Sequence, residues 1–170
     1  INEPASSAPL KTKAPRMIVS KYDYVNADGE LSYQVFRYCP KGFMPRAFVD
    51  GKWRAGKGCM TDVERLPYQL PDMLKSNYVI VVEGEKDADA LRAVGLVATT
   101  KSGGSGSAWE PSALQYFADR DVYVVPDNDD AGVRGAHAQG LSAHAPNCAI
   151  GGSGCAFLRF CVRAGGRPSG

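Results

Sequence analysis

A continuous apolar run at residues 78–82 restricts the fold of this chain more than any other feature. Strands that are buried on both faces of a parallel sheet have this pattern. Residues 86–94 follow with apolar side chains at helical spacing (Ala90, Leu91 and Val94), and Gly95 supplies a C-terminal stop. Together these segments predict a strand, a tight turn and a helix.

The same alternation continues along the chain. Residues 96–99 predict a second short strand, residues 109–118 a second helix and residues 122–125 a third strand, and a further helix is expected to begin near Ala131. Alternating strands and helices imply a parallel sheet with right-handed crossovers. The predicted fold class is therefore α/β, a Rossmann-like parallel sheet flanked by helices.

The segments before residue 77 have a different pattern. Two short runs, 20–25 and 31–38, flank a turn at Asp28-Gly29, and Asp-Gly between such runs favours a hairpin. A second turn, at Asp50-Gly51, follows the apolar residues 47–49. These signals predict a small antiparallel β unit ahead of the parallel sheet.

Composition divides the chain into four parts. They are a flexible linker, a small basic β-rich unit, the α/β core and an atypical tail containing Gly, Arg and Cys: residues 1–16, 17–76, 77–140 and 141–170. Residues 131–170 contain no Asp or Glu. One hypothesis is a basic, glycine-rich tail, and the other is a reading frame that changes near Gly140. No final strand is recognisable after Gly140. Because the chain starts at Ile1 rather than Met, a longer parent protein is expected.

The formal net charge of +2 is the sum of opposite regions. Residues 1–70 carry +4, residues 71–140 carry −5, and residues 141–170 carry +3. Near-neutrality therefore neither favours nor excludes a nucleic-acid partner. The acidic middle region is where a cation site is expected.

Neither a membrane nor a zinc site is predicted. The run at 78–82 is far below the roughly 20 apolar residues that span a bilayer, and the N-terminus lacks a signal-peptide pattern, so a cytoplasmic location is expected. The five cysteines form no C-x-x-C pair. An odd number of cysteines in this setting indicates free thiols.

Two acidic clusters follow the first and third predicted strands. They are Glu83-Gly84-Glu85-Lys86-Asp87 and Asp127-Asn128-Asp129-Asp130. Carboxyl ends of parallel strands share one edge of the sheet, where open α/β sheets bind ligands. Three carboxylates gathered there repel one another unless a cation neutralises them, and oxygen ligands favour Mg²⁺ or Mn²⁺ over zinc. Either cluster alone is as well explained by a helix cap or a solvated turn.

These residues resemble a known family. Glu83-Gly84-x-x-Asp87 after a hydrophobic strand, with Val-Val-Pro-Asp127-x-Asp129-x-Ala-Gly132 about forty residues later, resembles the Toprim domain of DnaG-type primases, topoisomerases, OLD-family nucleases and RecR-type repair proteins. The sequence of residues 82–91 and 102–109 is similar to the Toprim segment of phage- and plasmid-type DNA primases or primase-helicases. The hairpin region, with Arg37 and Lys41, resembles the segment that precedes Toprim in those proteins.

The resemblance implies roles for the acidic residues. Glu83 would be the general acid or base, and the metal ligands would be Glu83, Asp127 and Asp129. Asp87 and Asp130 would be supporting acidic groups. Lys86, at the start of a predicted helix, is expected to meet a nucleotide phosphate, with a solvated helix lysine as the alternative.

Basic and aromatic residues alternate in the β-rich unit. Basic groups bind phosphates and aromatic faces stack on unpaired bases, so this unit is the candidate nucleic-acid surface. Its predicted contacts are Lys41, Arg46, Lys52, Trp53, Arg54 and Lys57. The alternative is that the aromatic residues form the core of the unit. Residues 102–107, rich in Gly and Ser, are either a phosphate cradle or a flexible loop.

The leading functional hypothesis is Mg²⁺-dependent nucleotidyl transfer in primer synthesis. Its partners would be a single-stranded DNA template, nucleoside triphosphates and a replicative helicase. The alternatives are a Toprim nuclease that cleaves DNA and a non-catalytic nucleic-acid-binding module. No zinc-binding template-selection domain and no helicase motor are recognisable in the sequence, so whether this chain alone is active stays open.

Overall fold

Two β-sheets and a few short helices make up the fold. The computed structural model of the protein describes residues 15–103 and 108–125, together with the backbone of residues 149–150 and 158–162. In chain order the elements are β1 (Met17–Val25), β2 (Leu31–Cys39), β3 (Gly42–Val49), β4 (Lys52–Ala55), α1 (Leu70–Leu74), β5 (Tyr78–Val81), α2 (Glu85–Ala93), β6 (Ala98–Thr99), a 3₁₀ helix (Pro111–Phe117), β7 (Arg120–Val124), β8 (Ala149–Ile150) and β9 (Leu158–Val162).

Strands β1 to β4 form an antiparallel meander in the order β1-β2-β3-β4. Gly29 and Gly51 occupy the turns before β2 and β4 with φ of 85° and 72°, in the left-handed region that favours glycine. The side-chain oxygen of Asn26 accepts hydrogen bonds from the backbone N–H groups of Asp28 and Glu30, which fixes the first turn. The predicted antiparallel unit with its two Asp-Gly turns is confirmed.

The second sheet has the strand order β6-β5-β7-β9-β8. Strand β5 pairs in parallel with β6 on one side and β7 on the other, with Val81 opposite Thr99 and Val124. Strand β9 runs antiparallel to β7. The α/β class and the three parallel strands are therefore confirmed, and the described helices are few and short.

Three local predictions were wrong or incomplete. The helix predicted at residues 109–118 is shorter, spans Pro111–Phe117 and is a 3₁₀ helix. Helix α1 was not predicted, because five residues with Pro71 in the first turn are too short to show helical periodicity. A strand does follow Gly140: apolar residues alternate along β9, a pattern that the surrounding glycines hide. The helix expected near Ala131 lies outside the described residues.

One hydrophobic core joins the two sheets. On the inner face of the antiparallel sheet, the rings of Tyr24 and Tyr33 stack with centroids 4.4 Å apart, and Tyr68 lies 5.3 Å from Tyr24. This face and the buried side chains of the parallel strands, such as Val79 and Val122, belong to the same cluster. Each large apolar side chain buried in this way contributes roughly 1.5–3 kcal/mol. The shared core fixes α2 against the antiparallel sheet.

Within the described ranges, no helix is both long enough and apolar enough to cross a membrane.

Candidate functional site

Glu83 lies at the carboxyl edge of the parallel strands. It is half-buried and stands two residues beyond the end of β5, directly before Gly84, the N-cap of α2. A Cβ atom on Gly84 would come 3.2 Å from Oδ2 of Asp87, so the turn is tightly packed against the first helical turn. Asp87 is exposed there and interacts favourably with the helix dipole. The sequence-predicted Glu83 and Asp87 are therefore brought to one turn.

The carboxyl end of β7 lies next to that of β5. Beyond the last paired residues, the backbone N–H of Val125 still donates to the carbonyl of Val81 at 2.9 Å. The predicted ligands Asp127 and Asp129 and the supporting Asp130 lie outside the described residues. In the part of the chain that the structure describes, no three or more His, Cys, Asp or Glu side chains group as a metal site.

Glu85 has a structural role that the sequence did not separate from that of Glu83. It is buried, and its Oε1 accepts a hydrogen bond of 2.9 Å from the hydroxyl of Tyr24 on β1. Burial, followed by the nearby Glu85 charge, raises the pKa of Tyr24 well above its ordinary value. The two glutamates of one motif therefore have different roles. Glu85 links α2 to the antiparallel sheet, while Glu83 lies at the carboxyl edge of the parallel strands.

Lys101 is a charged residue at this edge that the sequence analysis missed. It stands two residues beyond β6, and only 7% of it is exposed. Burial lowers the pKa of its ammonium group, and the charge of Glu83 opposes that change. A signal was present in the sequence, since Lys101 lies two residues after the predicted strand 96–99, close to the same edge as Glu83. Its burial depends on tertiary packing, which no local pattern shows.

A second feature is a basic cleft of about 500 Å³ beside the start of α2. Three of its lining residues are cations from different segments: Arg37 from β2, Lys41 from the following turn, and Lys86 from the first turn of α2. The remaining lining residues are Val19, Ser20, Tyr22, Tyr38 and Cys39. Cations with no carboxylate among the described lining residues create a positive potential, to which the N-terminus of α2 adds. The structure thus brings the predicted Lys41 and Lys86 together and adds Arg37.

Arg46 and Trp53 lie elsewhere, on the outer face of the antiparallel sheet. The guanidinium carbon of Arg46 is 3.9 Å from the ring centroid of Trp53 and 4.7 Å from that of Phe36. Arg46 Nε donates to Oε1 of Gln34 at 2.7 Å. Trp53 is 40% exposed and so lies outside the core. The cation and the aromatic ring form one stacked unit on this face.

The other predicted nucleic-acid contacts do not join that unit. Lys52 and Arg54 point to the opposite face of β4, because they pair with the inward-facing Val49 and Ala47. Arg54 also lies 3.6 Å from a carboxylate oxygen of Asp50. Lys57 is exposed in the loop that follows β4. The six predicted contacts therefore divide among the basic cleft, the outer face and the β4 edge.

Comparison with known proteins assigns no family. No protein-family model matches the chain, and a search of curated proteins finds no match. The carboxyl edge of the parallel strands and the basic cleft are therefore the features from which a function can be proposed.

Proposed function

We propose that this chain is a Toprim-type domain that performs Mg²⁺-dependent nucleotidyl transfer during primer synthesis on single-stranded DNA, as in phage- or plasmid-type DNA primases. The observation that carries the proposal is the parallel pairing of β5 with β7. Val81 is opposite Val124, so Glu83 and the segment leading to Asp127 leave the sheet at the same edge. This is the arrangement that a shared carboxylate site requires.

The side chains of the proposed site suit Mg²⁺ by their chemistry. The residues that would hold the ion are Glu83, Asp127 and Asp129, all of which offer carboxylate oxygens, the ligands that hard divalent cations prefer. When bound, the ion would neutralise charge on the reacting phosphate groups. Glu85 is not part of this set, because its carboxylate accepts the Tyr24 hydroxyl.

Glu83 would also act on a proton. In the proposed reaction, the 3′-oxygen of the primer forms a bond to the α-phosphorus of a nucleoside triphosphate, and the bond to the leaving pyrophosphate breaks. The proton of the 3′-hydroxyl would pass to a carboxylate oxygen of Glu83, which acts as the general base. Its half-buried position beside a helix N-terminus limits exchange with water and keeps the group oriented.

The basic cleft would hold the phosphates of the template strand. It opens beside Lys86, and Lys86 lies three residues from Glu83, so a strand bound there would pass close to the carboxyl edge. Arg37 and Lys41 extend the positive surface away from that edge. Phosphate contacts of this kind position a nucleic acid without reading its sequence, which suits a site that must accept many templates.

Primer synthesis on a single-stranded template tests the proposal. Asp127→Ala, Asp129→Ala and Glu83→Gln should each reduce synthesis at least 100-fold, while Asp28→Asn, in the remote β1–β2 turn, should match the wild type. Undiminished activity in both aspartate variants would refute the metal role. Loss of intact DNA without added nucleotides would indicate the nuclease instead, and DNA binding without any turnover would indicate the non-catalytic module.

A further inference from the structure

A small cavity of about 200 Å³ lies at the end of β6, apart from the basic cleft. The described residues that line it are Arg65, Leu66, Lys101, Ser102, Gly103, Ala108, Trp109 and Glu110. Its volume is below the roughly 300–1,000 Å³ of sites that enclose a drug-sized ligand. The cavity therefore suits a small group or one end of a longer molecule.

Lys101 is the most unusual residue of this cavity. Its side chain is buried, and the only carboxylate charge given as acting on its ammonium group among the described residues is that of Glu83. The nearest aromatic contact is distant, with Nζ 6.0 Å from the ring centroid of Trp109. Burial lowers the pKa of this ammonium group, and an anion bound in the cavity would favour its charged form.

Trp109 supplies a buried donor without a partner. Its indole Nε1 is inaccessible to solvent and makes no hydrogen bond within the described part of the chain. The ring is held in place by an edge contact with Phe117, with centroids 4.9 Å apart. Buried donors are nearly always satisfied in folded proteins, so an orphaned one beside a cavity points to a missing acceptor.

Arg65 and Ser102 complete the polar lining. Arg65 brings a second positive charge, and its Nη1 lies 3.5 Å from the Ser102 hydroxyl oxygen, which itself lies 3.2 Å from that of Tyr33. Glu110 is the one carboxylate among the described lining residues, and it is exposed to solvent. Two cations and an indole N–H therefore line a cavity of about 200 Å³.

We propose that this cavity binds a phosphate group, the end of the polyphosphate tail of a nucleoside triphosphate, through Lys101, Arg65 and the indole N–H of Trp109. Charge-assisted hydrogen bonds from lysine and arginine to phosphate oxygens are among the strongest that proteins form. The choice of a nucleotide as the carrier of the phosphate rests on the proposed function. The inference that the cavity binds a phosphate group does not rest on the proposed function.

The two tryptophans of the chain allow a local test. In a Trp53→Phe background, Trp109 is the only indole and reports on the cavity rather than on the outer face. Inorganic pyrophosphate, titrated without metal or DNA, should produce a saturable change in Trp109 emission. Lys101→Met should weaken this binding at least 10-fold, and Lys101→Arg should retain most of it. Lys75→Met, which removes an exposed lysine of similar length, should leave the affinity unchanged.

Thermal unfolding gives a readout that does not depend on fluorescence. Pyrophosphate should raise the Tm of the wild type progressively with its concentration, as expected for a ligand that binds only the folded state. It should not raise the Tm of Lys101→Met.

Equal pyrophosphate affinity in the wild type and Lys101→Met, or no saturable response in the wild type, would overturn the proposal. ATP tested in parallel separates the two sources of phosphate: binding at least as tight as that of pyrophosphate supports the nucleotide, and binding of pyrophosphate alone rejects it. Lys101-dependent binding in a chain that synthesises no primer would contradict the proposed function but not the phosphate site, since the binding experiment needs neither template nor turnover.

Discussion

The hydroxyl of Tyr24 donates a 2.9 Å hydrogen bond to Oε1 of Glu85, and both residues are buried. One partner belongs to β1 and the other to the first turn of α2, so this bond connects the antiparallel sheet to the helix that follows Glu83. The buried carboxylate of Glu85, two residues from the proposed catalytic Glu83, therefore has a hydrogen-bond donor. The bond joins β1 to the first turn of α2, which begins two residues after Glu83.

Tyr24→Phe should lower the free energy of unfolding by about 1–3 kcal/mol, because it leaves the Glu85 carboxylate buried without its donor. Urea unfolding measures the effect. Tyr22→Phe is the matched control: Tyr22 is also buried on the inner face, and no hydrogen bond of its hydroxyl is found among the described residues. Equal losses in the two variants would show that the bond to Glu85 contributes nothing specific.

The ion pair between Asp72 and Arg92 should make stability depend on pH. Arg92 Nη2 lies 2.6 Å from Oδ2 of Asp72, and this hydrogen bond lowers the pKa of the Asp72 carboxyl below its ordinary 3.8. A lowered pKa in the folded state adds stability above the ordinary pKa, and this contribution is lost as the pH falls through the folded-state value. Because Asp72 is substantially exposed, the gain is about 1 kcal/mol or less.

Asp72→Asn should therefore be less stable than the wild type at pH 7, and the gap should close toward pH 2. Thermal melts at a series of pH values test this. Asp28→Asn controls for the general effect of removing a surface carboxylate. A gap that stays constant from pH 7 to pH 2 would contradict the assignment.

Single-stranded DNA bound in the basic cleft should respond to salt. Each phosphate contact contributes about 0.7 to the slope of log affinity against log salt for a single strand. Replacing Arg37 or Lys86 with Met should reduce that slope by about this amount and weaken binding at low salt. Fluorescence anisotropy of a labelled oligonucleotide measures both quantities. Lys75→Met should keep the wild-type slope, and the same slope in all variants would exclude the cleft as the binding surface.

Arg46→Met should mainly affect stability. Gln34 is buried, and its Oε1 loses the Arg46 donor in this variant, which should cost about 1–2 kcal/mol. Arg54→Met, on the other face of the same hairpin, should cost less than about 0.5 kcal/mol, because its ion pair is exposed. Chemical denaturation compares the two variants. A smaller loss for Arg46→Met than for Arg54→Met would show that the outer-face stack is not structural.

Local signals account for the parts of the fold that the sequence predicted. Asp-Gly favours the backbone conformation of a tight turn, and the apolar run of β5 predicts a strand buried on both faces. Helix α1 gave a weak signal because five residues carry too little helical periodicity for a pattern to emerge. The alternation of apolar residues along β9 is hidden by the surrounding glycines.

The sequence predicted a residue of the candidate site only where its location follows from its place at the end of a strand. Glu83 could be placed at a sheet edge because it follows β5. The difference between Glu83 and Glu85 depends on which of them meets Tyr24, a residue 61 positions from Glu85. The burial of Lys101 and the grouping of Arg37 with Lys86 likewise depend on contacts between distant segments.

The basic cleft is built from both sheets, since Arg37 and Lys41 come from the antiparallel meander and Lys86 from the helix after β5. The hydrophobic core likewise runs through both regions. A cut near residue 77 would therefore separate the cations and expose the stacked tyrosines at the same time. For protein engineering, the antiparallel meander and the parallel strands should be transplanted or expressed together, because neither carries a complete basic cleft or a complete hydrophobic core on its own.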